Sequence, residues 1–202
     1  MTYVAPLPRD AITDPEMLDL IEQSEALGVP DDLFPLLVAR APEQAKPFMR
    51  ALLMSHTEGN IDHRLKEIIR VLLARFAGDR YFSELRSRKA REMGLDNERI
   101  EAGCGDYEDS PLFTEAERWA LRYADQMYLD STKVDAAFYG ELKKHYTEPQ
   151  IMELGSFIAF HYGMQMFMRA LGAAAPSNPV EDRMPRANSP ASAPVRREQD
   201  RR

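Results

Sequence analysis

The apolar and polar positions in this chain follow the period of an α-helix, most clearly in residues 62–77. Apolar side chains recur there at three-and-four spacing, which places them on one helix face. They are Leu65, Ile68, Ile69, Leu72, Leu73 and Phe76. Asp62 precedes the segment as a capping residue and Gly78 follows it as a helix-ending one. The spacing therefore predicts an amphipathic helix between Asp62 and Gly78.

Similar start signals occur earlier in the chain. Asp14 followed by Pro15 is typical of a helix N-terminus, and the helix they begin is expected to end near Leu27. The apolar runs at 33–38 and 42–53 are each preceded by Asp or Pro and favour two further short helices. The first third of the chain is thus predicted to contain several short helices and no strand.

A second central helix is predicted after Gly78. Its apolar positions include Tyr81, Phe82, Leu85 and Met93, again at helical spacing. Two helices joined by so short a connection are expected to pack antiparallel.

Two capping boxes begin the last long helices. They pair Thr114 with Glu117 and Thr147 with Gln150. The helix after Thr147 is apolar over most of its circumference, so it should lie centrally or in a subunit interface. No segment alternates with period two over a sustained length, and the predicted fold is an all-α antiparallel bundle.

Composition excludes several classes of protein. The net charge of −7 disfavours nucleic-acid binding, which needs clustered basic residues. Cys104 is the single cysteine, so no intramolecular disulfide or Cys-rich metal site is expected. The N-terminus has no basic and apolar leader, and no run approaches the ~20 apolar residues that cross a bilayer. These features predict a cytoplasmic protein without membrane partners.

Residues 173–202 differ from the rest of the chain. They are rich in Pro, Ser, Ala and Arg and have almost no large apolar side chain. Such a segment cannot bury enough surface to offset its chain entropy. The predicted organisation is therefore one helical domain, 1–172, followed by a disordered tail, 173–202.

Three stretches resemble the alkylhydroperoxidase D (AhpD) and carboxymuconolactone decarboxylase family: IDHRLKEIIRVLLARFAGDRYFSELRSRKAREMGL, SPLFTEAERWALRYADQMY and EPQIMELGSFIAFHYGMQMFMRALG. By this resemblance, Glu67 stands where the family has a glutamate. Asp79 and Phe82 stand where it has the two cysteines of a Cys-x-x-Cys motif, and Arg86 where it has a histidine. The resemblance implies an AhpD-like bundle that assembles as a homo-oligomer, which could be a dimer, trimer or hexamer.

The substitutions in the motif remove the family's peroxidase chemistry. A thiolate must attack the peroxide and a second thiol must resolve the product, and neither Asp79 nor Phe82 can do so. Together with the surviving polar residues, the resemblance implies a lyase or decarboxylase that acts on a small carboxylated aromatic or lactone, without cofactor or metal. Glu67, in an apolar surrounding that raises its pKa, would handle a proton, Arg86 would bind the carboxylate, and His161 would assist. The predicted substrate-binding residues are Asp79, Tyr81, Phe82, Tyr162 and Gln165.

Alternative interpretations stay open at this point. Glu67 and Arg86 could simply pair, with Asp79 as a helix cap. His161 could be a core histidine bound to a neighbour, and the protein a catalytically silent oligomeric binding or scaffold protein. A third hypothesis is a metal site on His63 and Glu67, which share a helix face, together with His56 or His161.

Overall fold

In residues 2–174, which the computed structural model describes, the chain is a bundle of ten α-helices without a strand. The all-α prediction is confirmed. Most of the proposed tail lies outside the described residues. The helices are α1 (Pro15–Leu27), α2 (Leu33–Val38), α3 (Pro42–Thr57), α4 (His63–Ala77), α5 (Arg80–Glu84), α6 (Arg88–Glu92), α7 (Asn97–Gly103), α8 (Glu115–Asp130), α9 (Ala136–Leu142) and α10 (Glu148–Ala170).

The predicted helix ends agree with the structure where local chemistry sets them. The Asp14 carboxylate accepts from the first-turn N–H groups of α1, and Asp62 does so for α4. Both capping boxes form, and Gly78 ends α4 with a left-handed φ of 62°. A residue with a Cβ would be strained at that φ, which explains the glycine.

α4 is the central helix, and it packs against α10, α5 and α8. Its predicted apolar face lies in the core, but its other side is buried too, including Lys66, Glu67 and Arg70. The expectation of one buried and one solvated face is therefore wrong for α4. α10 and the segment around α5 cover the side that carries its charged residues.

Two apolar clusters flank α4. One joins it to α8 and α10 through side chains such as Leu72, Leu121 and Leu154. The other joins α1, α2, α3 and α5 and includes Met164 and Met168 of α10. α10 thus takes part in both clusters, as its apolar circumference indicates.

The second central helix is broken, contrary to the prediction. α5 ends at Glu84, Leu85 takes an extended conformation (ψ 147°), and Ser87 caps the new helix α6. The expectation of one continuous helix through Leu85 to Met93 is wrong because side chains of α4 bind the backbone at the break, as described below.

Within residues 2–174, no helix combines the length and hydrophobicity that spanning a bilayer requires.

Candidate functional site

Glu67 forms a fully buried ion pair, and its partner is Arg70. Arg70 Nε donates to Glu67 Oε2 at 2.8 Å and its Nη2 donates to Oε1 at 2.8 Å, a two-pronged contact. The side chains of Glu67 and Arg70 are only 1% and 0% exposed. The alternative interpretation in which Glu67 pairs with Arg86 is therefore wrong. The three-residue spacing of Glu67 and Arg70 on one helix was a sequence signal for the true partner.

The same pair holds the break between α5 and α6. Arg70 donates to the carbonyl oxygens of Phe82 at 2.5 Å and Leu85 at 2.6 Å, while Glu67 Oε1 accepts from Ser87 N–H at 2.8 Å. These backbone groups lose helical partners where the helix breaks, and a buried unpaired group costs about 1–3 kcal/mol. The charged pair therefore stabilises an otherwise costly conformation.

Glu67 is poorly suited to act as a proton-transfer group. Burial by itself raises its pKa, but the charge and hydrogen bonds of Arg70 outweigh burial, and the net pKa lies below the ordinary value. The expectation of a raised pKa is wrong for Glu67. At neutral pH the carboxylate is ionised, and its catalytic role stays a prediction that these contacts do not favour.

Arg86 turns towards the backbone of its own segment. Its Nη1 donates to the carbonyl oxygens of Ser83 at 2.6 Å and Leu85 at 2.8 Å. Burial and the nearby charge of Arg70 lower its pKa. Within residues 2–174 its buried Nε has no hydrogen-bond partner. Binding of a substrate carboxylate by Arg86 stays a prediction.

The two residues that the resemblance places at cysteine positions, Asp79 and Phe82, both make contacts within the fold. Asp79 caps α5 by accepting from Tyr81 N–H at 3.1 Å and Phe82 N–H at 3.2 Å, which confirms the capping interpretation. Burial raises the pKa of Asp79 to about 6. Phe82 packs against Phe34, with ring centroids 6.1 Å apart. The Tyr81 hydroxyl donates to Asp31 and accepts from the Phe34 N–H, so it joins α5 to the start of α2.

Three histidines meet where α3, α4 and α10 cross. The ring of His56 lies 4.7 Å from that of His161 and 5.7 Å from that of His63. His63 Nδ1 is 2.7 Å from the His56 carbonyl oxygen, and its Nε2 is 2.7 Å from Ser87 Oγ. His63 is buried, with only 6% of the residue exposed.

This histidine cluster does not form a set of metal ligands. No three His, Cys, Asp or Glu side chains of residues 2–174 are arranged to hold an ion. Both nitrogens of His63 are used in other hydrogen bonds, and Glu67 is paired with Arg70.

His161, one of the predicted catalytic residues, contacts a serine that lines a cleft. It is fully buried, and its Nε2 lies 3.0 Å from Ser55 Oγ. Ser55 lines a cleft of about 440 Å³ between α3 and α10, together with Lys66 and Phe157. The Ser55 hydroxyl donates to the Leu52 carbonyl oxygen at 2.7 Å. His161 Nε2–H is then the donor towards Ser55, which does not activate the serine.

The other two predicted substrate-binding residues lie apart from this cleft. Gln165 Nε2 donates to the Arg70 carbonyl oxygen at 2.9 Å and joins α10 to α4. Tyr162 packs edge-on against Tyr128 of α8, with centroids 5.0 Å apart. Glu67 thus lies on α4, and the other seven predicted residues lie on α10 or between Asp79 and Arg86. None of the eight lines the 440 Å³ cleft itself.

Sequence reasoning missed an apolar groove of about 790 Å³ between α2, α3 and α10. Its lining is almost entirely apolar and includes Phe48, Phe160, Gly163 and Phe167. Arg40 and Gln44 also line it. A sequence signal did exist: Phe160, Gly163 and Phe167 recur at three-and-four spacing on α10, next to the stripe that packs on α4.

Cys104 stands at the C-terminal end of α7, partly exposed. Burial raises the pKa of its thiol to about 11, and the charge of Arg75 offsets this only in part. The thiol is protonated at neutral pH and is therefore a weak nucleophile.

Comparison with solved structures identifies the fold. The debrominase Bmp8, in apo form and as a cysteine-to-alanine variant bound to 2,3,4-tribromopyrrole, superposes with a TM-score of 0.76 at 21% identity, over 90% of this chain and 96% of that one. A peroxidase-related AhpD-core protein from Ralstonia eutropha gives 0.69 at 16% identity, over 84% and 90%. The AhpD-like protein ATU0492 from Agrobacterium tumefaciens gives 0.60 at 19%, over 70% and 96%.

These likenesses show that the chain has the AhpD-like helical fold, which confirms at the level of the fold the resemblance seen in the sequence. No protein-family model matches the sequence, and no curated protein matches it.

Proposed function

We propose that this protein binds a small, largely apolar molecule in the groove between α2, α3 and α10, and that it carries out no thiol redox chemistry. The groove is the observation that supports binding. Its volume of about 790 Å³ lies in the range that small-molecule sites commonly have, and such sites are mainly apolar with a few polar groups. This is the binding-protein hypothesis of the sequence analysis, with a site assigned to it.

The region around Glu67 supports the second half of the proposal. Asp79 and Phe82 hold no sulfur, and both side chains are committed to the contacts of α5 with its neighbours. The Glu67 carboxylate is likewise occupied by Arg70 and Ser87. The polar groups that a reaction at this position would need are therefore engaged in holding the fold.

The Bmp8 structure suggests which ligands to try first. That protein was captured with 2,3,4-tribromopyrrole, a compact halogenated aromatic. A screen of halogenated pyrroles, aromatic acids, lactones and medium-chain acids by ligand-induced thermal stabilisation samples the chemistry that fits an apolar groove.

Gly163 offers a sharp test of the groove. It lies on α10 within the groove lining, and a Cβ added there meets no atom within 4 Å. Gly163→Leu should fold normally and gain up to about 1 kcal/mol of stability from helix propensity. Its side chain would occupy the groove, so ligand binding measured by calorimetry should weaken at least about tenfold.

Gly140→Leu is the matched control. Gly140 is also helical, on α9, and also has open space at its Cβ, but it does not line the groove. The control should bind as the wild type does. Equal binding by wild type and Gly163→Leu would place the ligand elsewhere, and the absence of any hit in the screen would count against the proposal.

A lyase acting on a carboxylated aromatic or lactone is the second candidate. One contact favours it: His161 bonds to Ser55, and Ser55 lines the 440 Å³ cleft. The test is turnover of a panel of such acids and lactones by wild type and Ser55→Ala. A rate that falls about 100-fold or more in the variant would support a site at the cleft. Turnover that Ser55→Ala leaves unchanged would exclude it.

Homo-oligomer formation stays part of the proposal. Outside the groove lining, α10 presents Met152 and Met166 to solvent, with 68% and 38% of these residues exposed. Large apolar side chains on one helix surface are typical of subunit contacts.

A further inference from the structure

We infer that the groove between α2, α3 and α10 selects an amphipathic carboxylate, an apolar chain or ring that bears one acid group, and that Arg40 binds that group. The inference rests on the proposed function, because it names the ligand class of the same groove. It assigns to Arg40 the carboxylate-binding role that the sequence suggested for Arg86.

The position and contacts of Arg40 carry the argument. Arg40 lines the groove and is exposed to solvent, just beyond the C-terminus of α2. Its Nε donates to the Ala5 carbonyl oxygen, which fixes one side of the guanidinium group. Within residues 2–174 no carboxylate pairs with Arg40, so both terminal nitrogens are available to a ligand. A guanidinium binds a carboxylate best through two parallel N–H groups.

The rest of the groove supplies the apolar part of the site. Phe48, Phe160, Met164 and Leu171 line it, and each can contact a hydrocarbon chain or an aromatic ring. Its other polar side chain, Gln44, lies in the first turn of α3, four residues after Arg40, and can donate a further hydrogen bond to an acid group. A molecule that is apolar over most of its length and negative at one terminus matches this lining.

The local charge agrees with an anionic ligand. Arg40 directly precedes Ala41, the N-cap of α3, so it lies beside the positive end of that helix dipole. The Ala41 side chain cannot cap the helix, so it does not occupy the N–H groups there. The nearest acid in sequence, Glu43, does not line the groove and is paired with Lys46 at 3.3 Å. The charge of Arg40 is therefore not neutralised by an acid of the groove itself.

The test compares a carboxylate with an alcohol of the same chain. Decanoate and 1-decanol are titrated into full-length wild type, Arg40→Met and Arg80→Met at pH 7, with binding followed by calorimetry. Met keeps the apolar stem of Arg40 and removes its charge. Arg80 of α5 is an exposed arginine outside the groove lining, so Arg80→Met controls for the loss of one positive charge.

Wild type and Arg80→Met should bind decanoate about tenfold more tightly than 1-decanol. Arg40→Met should bind the two ligands alike, because it has lost the charge-assisted contact with the carboxylate. Retained 1-decanol binding shows that Arg40→Met is folded with an intact groove. Equal affinity of wild type for both ligands would overturn the carboxylate inference and leave the groove in place. If neither ligand binds to wild type, the carboxylate inference fails. If Gly163→Leu also leaves the binding of every other ligand found in the screen unchanged, the proposed function fails as well.

Discussion

The pair Glu67–Arg70 and the groove along α10 lie on neighbouring parts of the bundle but have opposite physical characters. At the pair, charged groups are buried and both carboxylate oxygens accept hydrogen bonds. In the groove, large apolar side chains such as Phe167 remain 47% exposed and polar groups are few. The charged groups of the pair are hydrogen-bonded within the protein, whereas the groove has exposed apolar surface that a ligand can still cover.

This difference shows that residue types alone do not locate a site. A glutamate, an arginine and an aspartate close together suggest catalysis, but here each of Glu67, Arg86 and Asp79 is bound to backbone groups of the segment around α5. Buried polar groups that satisfy the backbone serve the fold. A binding site is better indicated by polar groups beside a cavity that still have unused hydrogen-bond donors, such as Arg40.

The largest expected effect comes from breaking the buried pair. Glu67→Gln leaves the charge of Arg70 uncompensated in the core, which typically costs about 3–5 kcal/mol. The free energy of unfolding from urea titration at pH 7 should fall by that amount, and the α5–α6 segment should lose order first because Ser87 N–H loses its carboxylate partner.

Glu108→Gln provides the control for that change. It removes the same charge from the pair with Arg122, whose side chains are 42% and 30% exposed. Exposed pairs contribute less than about 1 kcal/mol. If the two variants lose similar stability, Glu67 does not hold the break in the way described here.

A smaller effect is expected from the histidine cluster, and it depends on pH. Burial lowers the pKa of His56 to about 3 from an ordinary 6.5. Below pH 6.5 the unfolded chain takes up a proton that the folded chain refuses, so stability falls as the pH falls towards 3. For one such group the loss between pH 7 and pH 4.5 is about 2.5 kcal/mol.

His56→Leu isolates this contribution. Neither ring nitrogen of His56 has a hydrogen-bond partner among the described residues, so the variant sacrifices no side-chain bond at neutral pH. Urea titrations from pH 7 to pH 4.5 should show a shallower loss of stability than in wild type. Parallel curves for the two proteins would mean that His56 is protonated in the folded state, for example through a water molecule that binds its ring.

The sequence predicted most of the helix positions because their signals are local. Asp14, Asp62 and Thr114 cap the helices that follow them, and Gly78 ends α4. Each depends on a few consecutive residues and needs no knowledge of the tertiary fold. The break at Leu85 has no such signal, since it depends on a side chain fifteen positions earlier, Arg70, reaching the Leu85 carbonyl oxygen.

The candidate site was harder to predict for the same reason. Apolar groups at 160, 163, 164 and 167 fit equally well in a core, in an interface or in a ligand groove, and only the arrangement of α2 and α3 decides between these. Arg40 carries no motif at all. Its role becomes visible only because the chain brings it beside α10.

The contacts of Arg70 also bear on how this segment moves. A pair of thiols that cycles between free and bonded forms must let its two sulfurs approach to about 2 Å and separate again, so its backbone needs some freedom. Here one guanidinium holds the carbonyl oxygens on both sides of the break. The stretch after Asp79 is therefore held firmly against α4, the most deeply buried helix. Its amide groups are expected to exchange with solvent only when the whole bundle unfolds.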